Sequence, residues 1–214
     1  MNINKDTKIY GSFSDNPGNN GCIFFNNEFE KHGINAIYKS FYSTDSAKLV
    51  ESVKHLNFSG FALSMPLKVD IMNYLDEIDS AALEIGAVNT VINNDGKLTG
   101  YNTDWLGVKK YIEILPYCTD HITILGNGGF SKAVQYACKK LDINYTIITR
   151  KNWDELYNKD FWLSGTINLI FNATPIDIIV ANLIDGRPFT ETGKIIANFQ
   201  AKEQFLIYTG IKIT

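Results

Sequence analysis

The chain reads as an α/β protein of two lobes: a small mixed sheet with helices over about residues 1–104, and a shortened doubly wound unit over about 105–192, with a final helix at 193–210 folding back. Three observations predict this. Short β-branched and aromatic runs alternate with segments of helical spacing, the order of an α/β fold. An NNDG turn at 93–96 divides two strand-like runs, which predicts an antiparallel hairpin within a sheet otherwise built from crossovers. A glycine-rich segment, GNGGFSKA at 126–133, stands between a short apolar strand and a helix, as in the first turn of a nucleotide-binding βαβ unit.

The elements follow in order. Lys8 to Phe13 is a strand that runs into the polar loop SDNPGNNG, and Cys22 to Lys31 places Ile23, Phe24, Phe25 and Phe29 densely enough for a buried helix. Ile34 to Phe41 alternates as a second strand; Asp45 to Leu56 has helical spacing through Ala47, Leu49, Val50, Val53 and Leu56. Phe61 to Met65 is a third strand, ended by Pro66 because proline cannot continue a central ladder. Val69 to Ile85 carries Ile71, Met72, Leu75, Ile78, Ala82 and Ile85 on one helical stripe, interrupted by the acidic DEID. Val88 to Asn93 and Lys97 to Tyr101 form the hairpin, and Trp105 to Leu115 is helical. Pro116 to Asp120 links to Ile122–Leu125, the glycine-rich turn, a helix at Val134 to Leu141 and a strand at Tyr145 to Thr149. Ile167 to Asn172 is a buried strand, and the run from Asp177 to Thr192 leads without a further predicted element into the last helix.

Composition excludes several classes of function. A net charge of −3 with both signs interspersed gives no basic field for nucleic acid. Cys22, Cys118 and Cys138 are odd in number and widely spaced, and His32, His55 and His121 are the only imidazoles, so neither a disulfide framework nor a metal site is expected. No charged n-region with an apolar h-region opens the sequence, and no apolar run reaches membrane-spanning length. The expectation is a cytoplasmic protein with no membrane partner.

Two residues suit proton transfer. Lys68 follows a strand end, and Asp104 closes GYNTD just before a helical pattern; strand ends at a sheet rim are where polar groups converge on ligands. Taken singly, each is equally a solvated lysine and a helix-capping aspartate. In the glycine-rich turn, Gly126, Gly128 and Gly129 permit a tight bend and close approach of a pyrophosphate, met by helix N-terminal amides; the turn departs from plain G-x-G-x-x-G by ending in alanine. At the end of the next strand stands Thr149-Arg150-Lys151-Asn152, with no acid before Asp154. An NAD site offers a carboxylate there, so two cations favour the 2′-phosphate of NADP; the other reading is an exposed basic turn.

These segments resemble the shikimate dehydrogenase family. GFALSMPLK at 60–68 is similar to G-x-N-V-T-x-P-x-K, GAVNT at 86–90 to G-A-V-N-T, and GYNTD at 100–104 to G-x-N-T-D. Ala62 stands where the family has asparagine and Ser64 where it has threonine. The resemblance implies that Lys68 and Asp104 form a catalytic dyad between the lobes, and that Asn89 and Asn102 orient substrate hydroxyls beside Ser64. It implies that Thr149, Arg150 and Lys151, which stand at the family's N-R-T with Thr149 in place of the asparagine, hold the cofactor together with Gly126, Asn127, Gly128, Gly129 and Phe130. NATP at 172–175 matches N-A-T-P, so Asn172, Ala173 and Thr174 border it. The last helix resembles G-x-x-M-L-x-x-Q-x-x-x-x-F, which makes Gln200 a substrate contact.

Two departures qualify the likeness. After NATP the chain skips a strand-loop-helix piece that the family uses to wall the nicotinamide pocket. In the first loop, the family binds a carboxylate with serines of S-x-S-P-x-x-H-N; aligned on Asn26, these positions hold Asn19 and Gly21, leaving Ser12 and Ser14 as the hydroxyls at the preceding strand end. These are equally turn residues satisfying their own backbone. The implied function is an NADP-dependent reversible oxidation of a ring hydroxyl of shikimate or a related cyclitol acid, with a place in aromatic amino acid biosynthesis. Its alternative is a non-catalytic ligand- or nucleotide-binding protein that keeps the cleft without hydride transfer.

Overall fold

The computed structural model describes residues 3–116, 118–154 and 169–213. Contacts divide the chain into two compact units, residues 1–103 with 201–214, and residues 104–200.

The first unit is built on a six-stranded mixed sheet of order β2-β1-β3-β5-β6-β4. Its strands are β1 (Lys8–Ser14), β2 (Ala36–Tyr42), β3 (Phe58–Leu63), β4 (Glu77–Ile78), β5 (Thr90–Asn94) and β6 (Lys97–Tyr101). β1 lies parallel between β2 and β3, joined by the crossover helices α1 (Asn20–Lys31) and α2 (Ser46–His55). The hairpin adds β5 and β6 antiparallel. Its turn demands left-handed backbone, with φ of 52° at Asp95 and 91° at Gly96, while Asn93 Oδ1 accepts from the Gly96 amide at 2.8 Å. The period of two in β1 gives each face its own core. Phe13 packs one face with Leu49 and Val53 of α2 and with Phe58, Phe61 and Leu63. Tyr10 packs the other with Phe25, Phe29, Tyr38, Phe205 and Tyr208.

The helical stripe predicted over 69–85 is not one helix. It is a short α3 (Leu67–Asp70), a 3-10 turn (Ile71–Tyr74), β4 and α4 (Ser80–Ile85). The acidic run is drawn onto the sheet: Asp76 Oδ2 accepts from Leu98 N at 2.7 Å, and Asp76 and Asp79 amides donate to Leu98 and Gly100 carbonyls at 3.0 and 2.9 Å. Asp79 then caps α4 through Ala81 N at 2.9 Å, as an N-cap aspartate does.

The second unit holds a parallel sheet of order β10-β9-β7-β8, made of β7 (His121–Leu125), β8 (Asn144–Ile148), β9 (Leu169–Asn172) and β10 (Leu183–Asp185). Its helices are α5 (Asp104–Glu113), α6 (Gly129–Lys140) and the first part of α7 (Glu191–Thr209). The core joins Val108 and Ile112 of α5, Val134, Ala137 and Cys138 of α6, strand residues Ile122, Ile124, Leu169, Phe171 and Ile184, and Ile196 of α7. β10 was not expected from the run 177–192; it is only three residues long, too short for a period of two to show. Residues 167 and 168 of the predicted strand, and Tyr117 of the predicted link, lie outside the described residues. Among the described residues no helix is long and apolar enough to cross a membrane, and no group of acidic, His and Cys side chains is arranged to hold a metal.

Candidate substrate and cofactor sites

In the first unit one edge of the sheet gathers the predicted polar residues. β1 and β3 run parallel and end there, antiparallel β5 begins there and β6 ends there. The ends are tied directly: Ser64 N donates to Phe13 O at 3.0 Å, Leu63 N to Asn89 O at 2.8 Å and Asn89 N to Tyr101 O at 3.0 Å. Thus Ser12 and Ser14 of β1, Ser64 beyond β3, Asn89 before β5 and Asn102 after β6 share one rim. Lys68, partly exposed on α3, belongs to the same unit, and its carbonyl accepts from Val88 N at 2.8 Å, which ties α3 to the GAVNT segment.

The side chains at this rim hold backbone as well as facing it. Asn89 is 3% exposed, and its Oδ1 accepts from the Thr103 amide at 2.8 Å and from Thr90 Oγ1 at 2.9 Å. Its Nδ2 donates to Thr103 Oγ1 at 3.1 Å, while Asn102 Nδ2 donates to Ala87 O at 2.9 Å. Gln204 Nε2 donates to Thr90 Oγ1 at 2.8 Å and completes a chain of buried polar groups. Such a network is expensive unless every member is paired. Thr90, Thr103 and Gln204 were not singled out from sequence; the available signal was Gln204 standing one helical turn beyond Gln200.

Ser12 Oγ donates to Ser40 Oγ at 2.9 Å, and Ser40 Oγ donates to Gly18 O at 2.7 Å, so Ser40, backed by Ser12, anchors the loop over 15–19. Ser14 is buried at the strand end, and its carbonyl accepts from Ser43 N at 2.9 Å. Asn26 fixes α1 to β2, accepting from Tyr38 N at 2.8 Å and donating to Tyr38 O at 2.9 Å. Burial raises the Tyr38 hydroxyl pKa above its ordinary value, partly offset by Ser12.

In the second unit Asp104 opens α5 and is buried. Gln200 lies on α7, where a Cβ built on Gly107 comes within 3.0 Å of its backbone nitrogen. The remaining predicted positions cluster where the strand order reverses: β7 leads by α6 to β8 on one side, and the chain then returns to β9 on the other. Ligands of open α/β sheets bind outside the carboxyl ends of strands at such a point. Gly126 has φ of 101°. Its amide donates to Ile148 O at 2.8 Å, and a built Cβ meets Thr174 Cγ2 at 3.0 Å. Ala173 N donates to Leu125 O at 3.1 Å, so the NATP turn sits beside the glycine turn. Asn172 Oδ1 shapes that turn by accepting from Thr174 N at 3.0 Å and Thr174 Oγ1 at 2.7 Å.

The glycine turn is shorter than its sequence pattern predicts. α6 already begins at Gly129, so the turn is only 126–128, and the sixth position of the pattern is Ser131, not an alanine. Ser131 is fully buried and donates to Gly126 O at 2.7 Å, a lock that alanine lacks. Gly128 is the N-cap of α6 with no side-chain cap, and a built Cβ there meets nothing within 4 Å. The helix N-terminus therefore faces open space and suits an anionic ligand. Asn127 Oδ1 accepts from Gln135 Nε2 at 3.3 Å. Phe130 turns inward onto Phe171, with ring centroids 5.9 Å apart, and packs the core. Beyond β8, Arg150 and Lys151 are exposed at the apex of a tight turn, closed by Asn152 N donating to Thr149 O at 3.1 Å.

Comparisons with known proteins agree across both units. The family model for the shikimate dehydrogenase substrate binding domain matches residues 21–91. A shikimate dehydrogenase-like protein of Haemophilus influenzae is 41% identical over 64% of this chain and 51% of its own length. The shikimate dehydrogenase (NADP(+)) of Pyrococcus furiosus is 39% identical over 69% of this chain and 55% of its own. By sequence, therefore, the chain spans about half the length of these curated relatives. A shikimate dehydrogenase solved in complex with NADP+ superposes with a TM-score of 0.79 at 29% identity, covering 98% of this chain and 92% of that one.

Proposed function

The chain belongs to the shikimate dehydrogenase family, in its shikimate dehydrogenase-like branch, and on that premise we propose that it is an NADP-dependent oxidoreductase acting on a ring hydroxyl of shikimate or a related cyclitol acid. The observation that carries the reading is the single rim on which Ser14, Ser64, Asn89 and Asn102 meet at the ends of β1, β3, β5 and β6. A polyol acid offers several hydroxyls and one carboxylate, and a rim of hydroxyls and amides is the matching donor and acceptor set.

The residues of the second unit fit the cofactor. An uncapped α6 N-terminus behind Gly128 suits the pyrophosphate, and two exposed cations after β8 suit a 2′-phosphate. Bound NADP supplies the hydride acceptor in alcohol oxidation. Within the proposal, Lys68 takes the hydroxyl proton as the C–H hydride leaves, and gives it back in ketone reduction. Asp104 is the second member of the dyad by its place in the matched GYNTD segment. Asn89 and Asn102 orient the ring, Ser12 and Ser14 bound the carboxylate end, and Gln200 contacts substrate. The roles of Asn89, Asn102 and Gln200 rest on their places in the matched motifs, and those of Ser12 and Ser14 on their place at the end of β1.

The test is a panel of shikimate-like acids assayed with each nicotinamide cofactor by the change in NADPH or NADH absorbance, repeated with Lys68→Ala. General acid–base catalysis predicts a loss in kcat of about 10²- to 10⁴-fold with cofactor affinity kept. Unchanged turnover in the variant would remove Lys68 from the mechanism. Ligand-induced thermal stabilisation without any turnover would instead identify a binding protein that has lost hydride transfer.

A further inference from the structure

The two cations proposed to meet the 2′-phosphate stand on a turn of only four residues, and the turn is held by a side chain that the matched motif does not include. Asn152 Oδ1 accepts from the Thr149 amide at 2.8 Å and from the Thr149 hydroxyl at 3.1 Å. The same hydroxyl accepts from Lys151 N at 3.3 Å, and the Asn152 amide donates back to Thr149 O at 3.1 Å. Asn152 Nδ2 also reaches Ile147 O at 3.5 Å, on the body of β8. The amide thus closes both ends of the turn upon each other and fastens it to the strand. Arg150 and Lys151 stand exposed at the apex, on a backbone held at both ends.

We propose that Asn152 is a positioning residue for cofactor selection: by stapling the Thr149–Asn152 turn it fixes the backbone from which Arg150 and Lys151 reach the 2′-phosphate, and so sets the preference for a phosphorylated dinucleotide. The inference rests on the NADP reading given above and extends it to a residue that touches no phosphate. A point charge finds a phosphate from many backbone positions, but a guanidinium pairs with one through a planar fork, which needs a fixed origin. Without the staple, ordering the turn becomes part of the cost of binding, and only a ligand that uses the turn bears it. NADH makes no use of it.

The experiment is titration of NADPH and NADH, by fluorescence or calorimetry, against the full chain as wild type, Asn152→Ala, Thr149→Val and the double variant. The wild type is expected to bind NADPH more tightly. Each single change should lower the ratio of NADPH to NADH affinity by about tenfold, the scale of one or two side chains ordered on binding. NADH affinity should hold in Asn152→Ala, which also reports a folded domain. Because the two side chains act as one device, the double variant should lose no more than either single one. Equal losses for both cofactors, an unchanged ratio, or additive losses would each overturn the staple while leaving the NADP assignment standing. A wild type that prefers NADH would overturn the assignment itself, and the staple with it.

Discussion

Gly107→Ala sets two known effects against each other, and the geometry decides the sign. Gly107 lies inside α5 and is buried, where helix propensity alone favours alanine by about 1 kcal/mol. The new methyl has nowhere to go. Its carbon falls 2.7 Å from Ile196 O, 3.0 Å from Gln200 Cβ and 3.0 Å from Gln200 N. Two of these neighbours are backbone atoms of α7, so no rotamer change makes room; the helices must separate toward the ordinary contact distance of about 3.5 Å. Overpacking of this kind costs about 1–3 kcal/mol. A gap of several tenths of an ångström also weakens the dispersion contacts of Val108 and Ile112 with Ile196. The net expectation is destabilisation of about 1–2 kcal/mol, or a fall in Tm of roughly 2–8 °C at this chain length. Thermal denaturation followed by circular dichroism measures it. A Tm equal to or above wild type would refute the argument, because it would mean that α5 and α7 are not in backbone contact.

Replacing Arg150 by Ala should weaken NADPH about ten- to hundredfold, the worth of a charge-assisted hydrogen bond, and leave NADH binding in place; equal losses would make it a structural arginine. Gln204→Leu removes the donor to Thr90 Oγ1 within a buried chain, at a cost of about 1–3 kcal/mol. Denaturant titration should show an earlier midpoint, and a later one would mean that the network does not hold the rim. Alkaline pH should destabilise the fold, since burial pushes the Cys138 thiol up to about 12 and raises Tyr208 and Tyr38 above their ordinary values. The native state keeps protons that the unfolded chain releases above about pH 8.5 for Cys and 10 for Tyr, so stability present below those values is lost as pH rises toward the raised ones. Midpoints of chemical denaturation that stay level from pH 8 to 10.5 would contradict this.

The sequence was most legible where the backbone demands particular chemistry. Asp95 and Gly96 both need positive φ, so the hairpin was visible, as was the tight bend at Gly126. Amphipathic spacing found α1, α2, α5 and α6 for a similar reason: one face of each meets a sheet. The same criterion failed over 69–85, where Ile71, Leu75, Ile78 and Ala82 pack into the first unit's core from a helical turn, an edge strand and a second short helix. A stripe of apolar residues records which side chains are buried, not the hydrogen bonding between them. What broke the helix was polar: Asp76 and Asp79 engage β6, and a carboxylate's partner 22 residues away leaves no periodic trace.

The same distinction governs the site. Motif positions identify which residues stand at a rim, but the direction of each hydrogen bond determines what they can offer a ligand. Asn89 illustrates the consequence. Its Oδ1 is committed to the Thr103 amide and Thr90 hydroxyl, so its orientation is set from behind, ultimately by Gln204, which lies 114 residues beyond Thr90. A ligand hydroxyl approaching Asn89 therefore meets an amide whose flip would place a second N–H donor against the Thr103 N–H and break the tie between β5 and the turn before Asp104. Ser12 makes the converse case: its hydroxyl donates to Ser40, which donates to Gly18, so its one hydrogen is already spent. A carboxylate needs donors. Of the two β1 serines, Ser14 is then the one able to donate to an acid without breaking the Ser12–Ser40 pair.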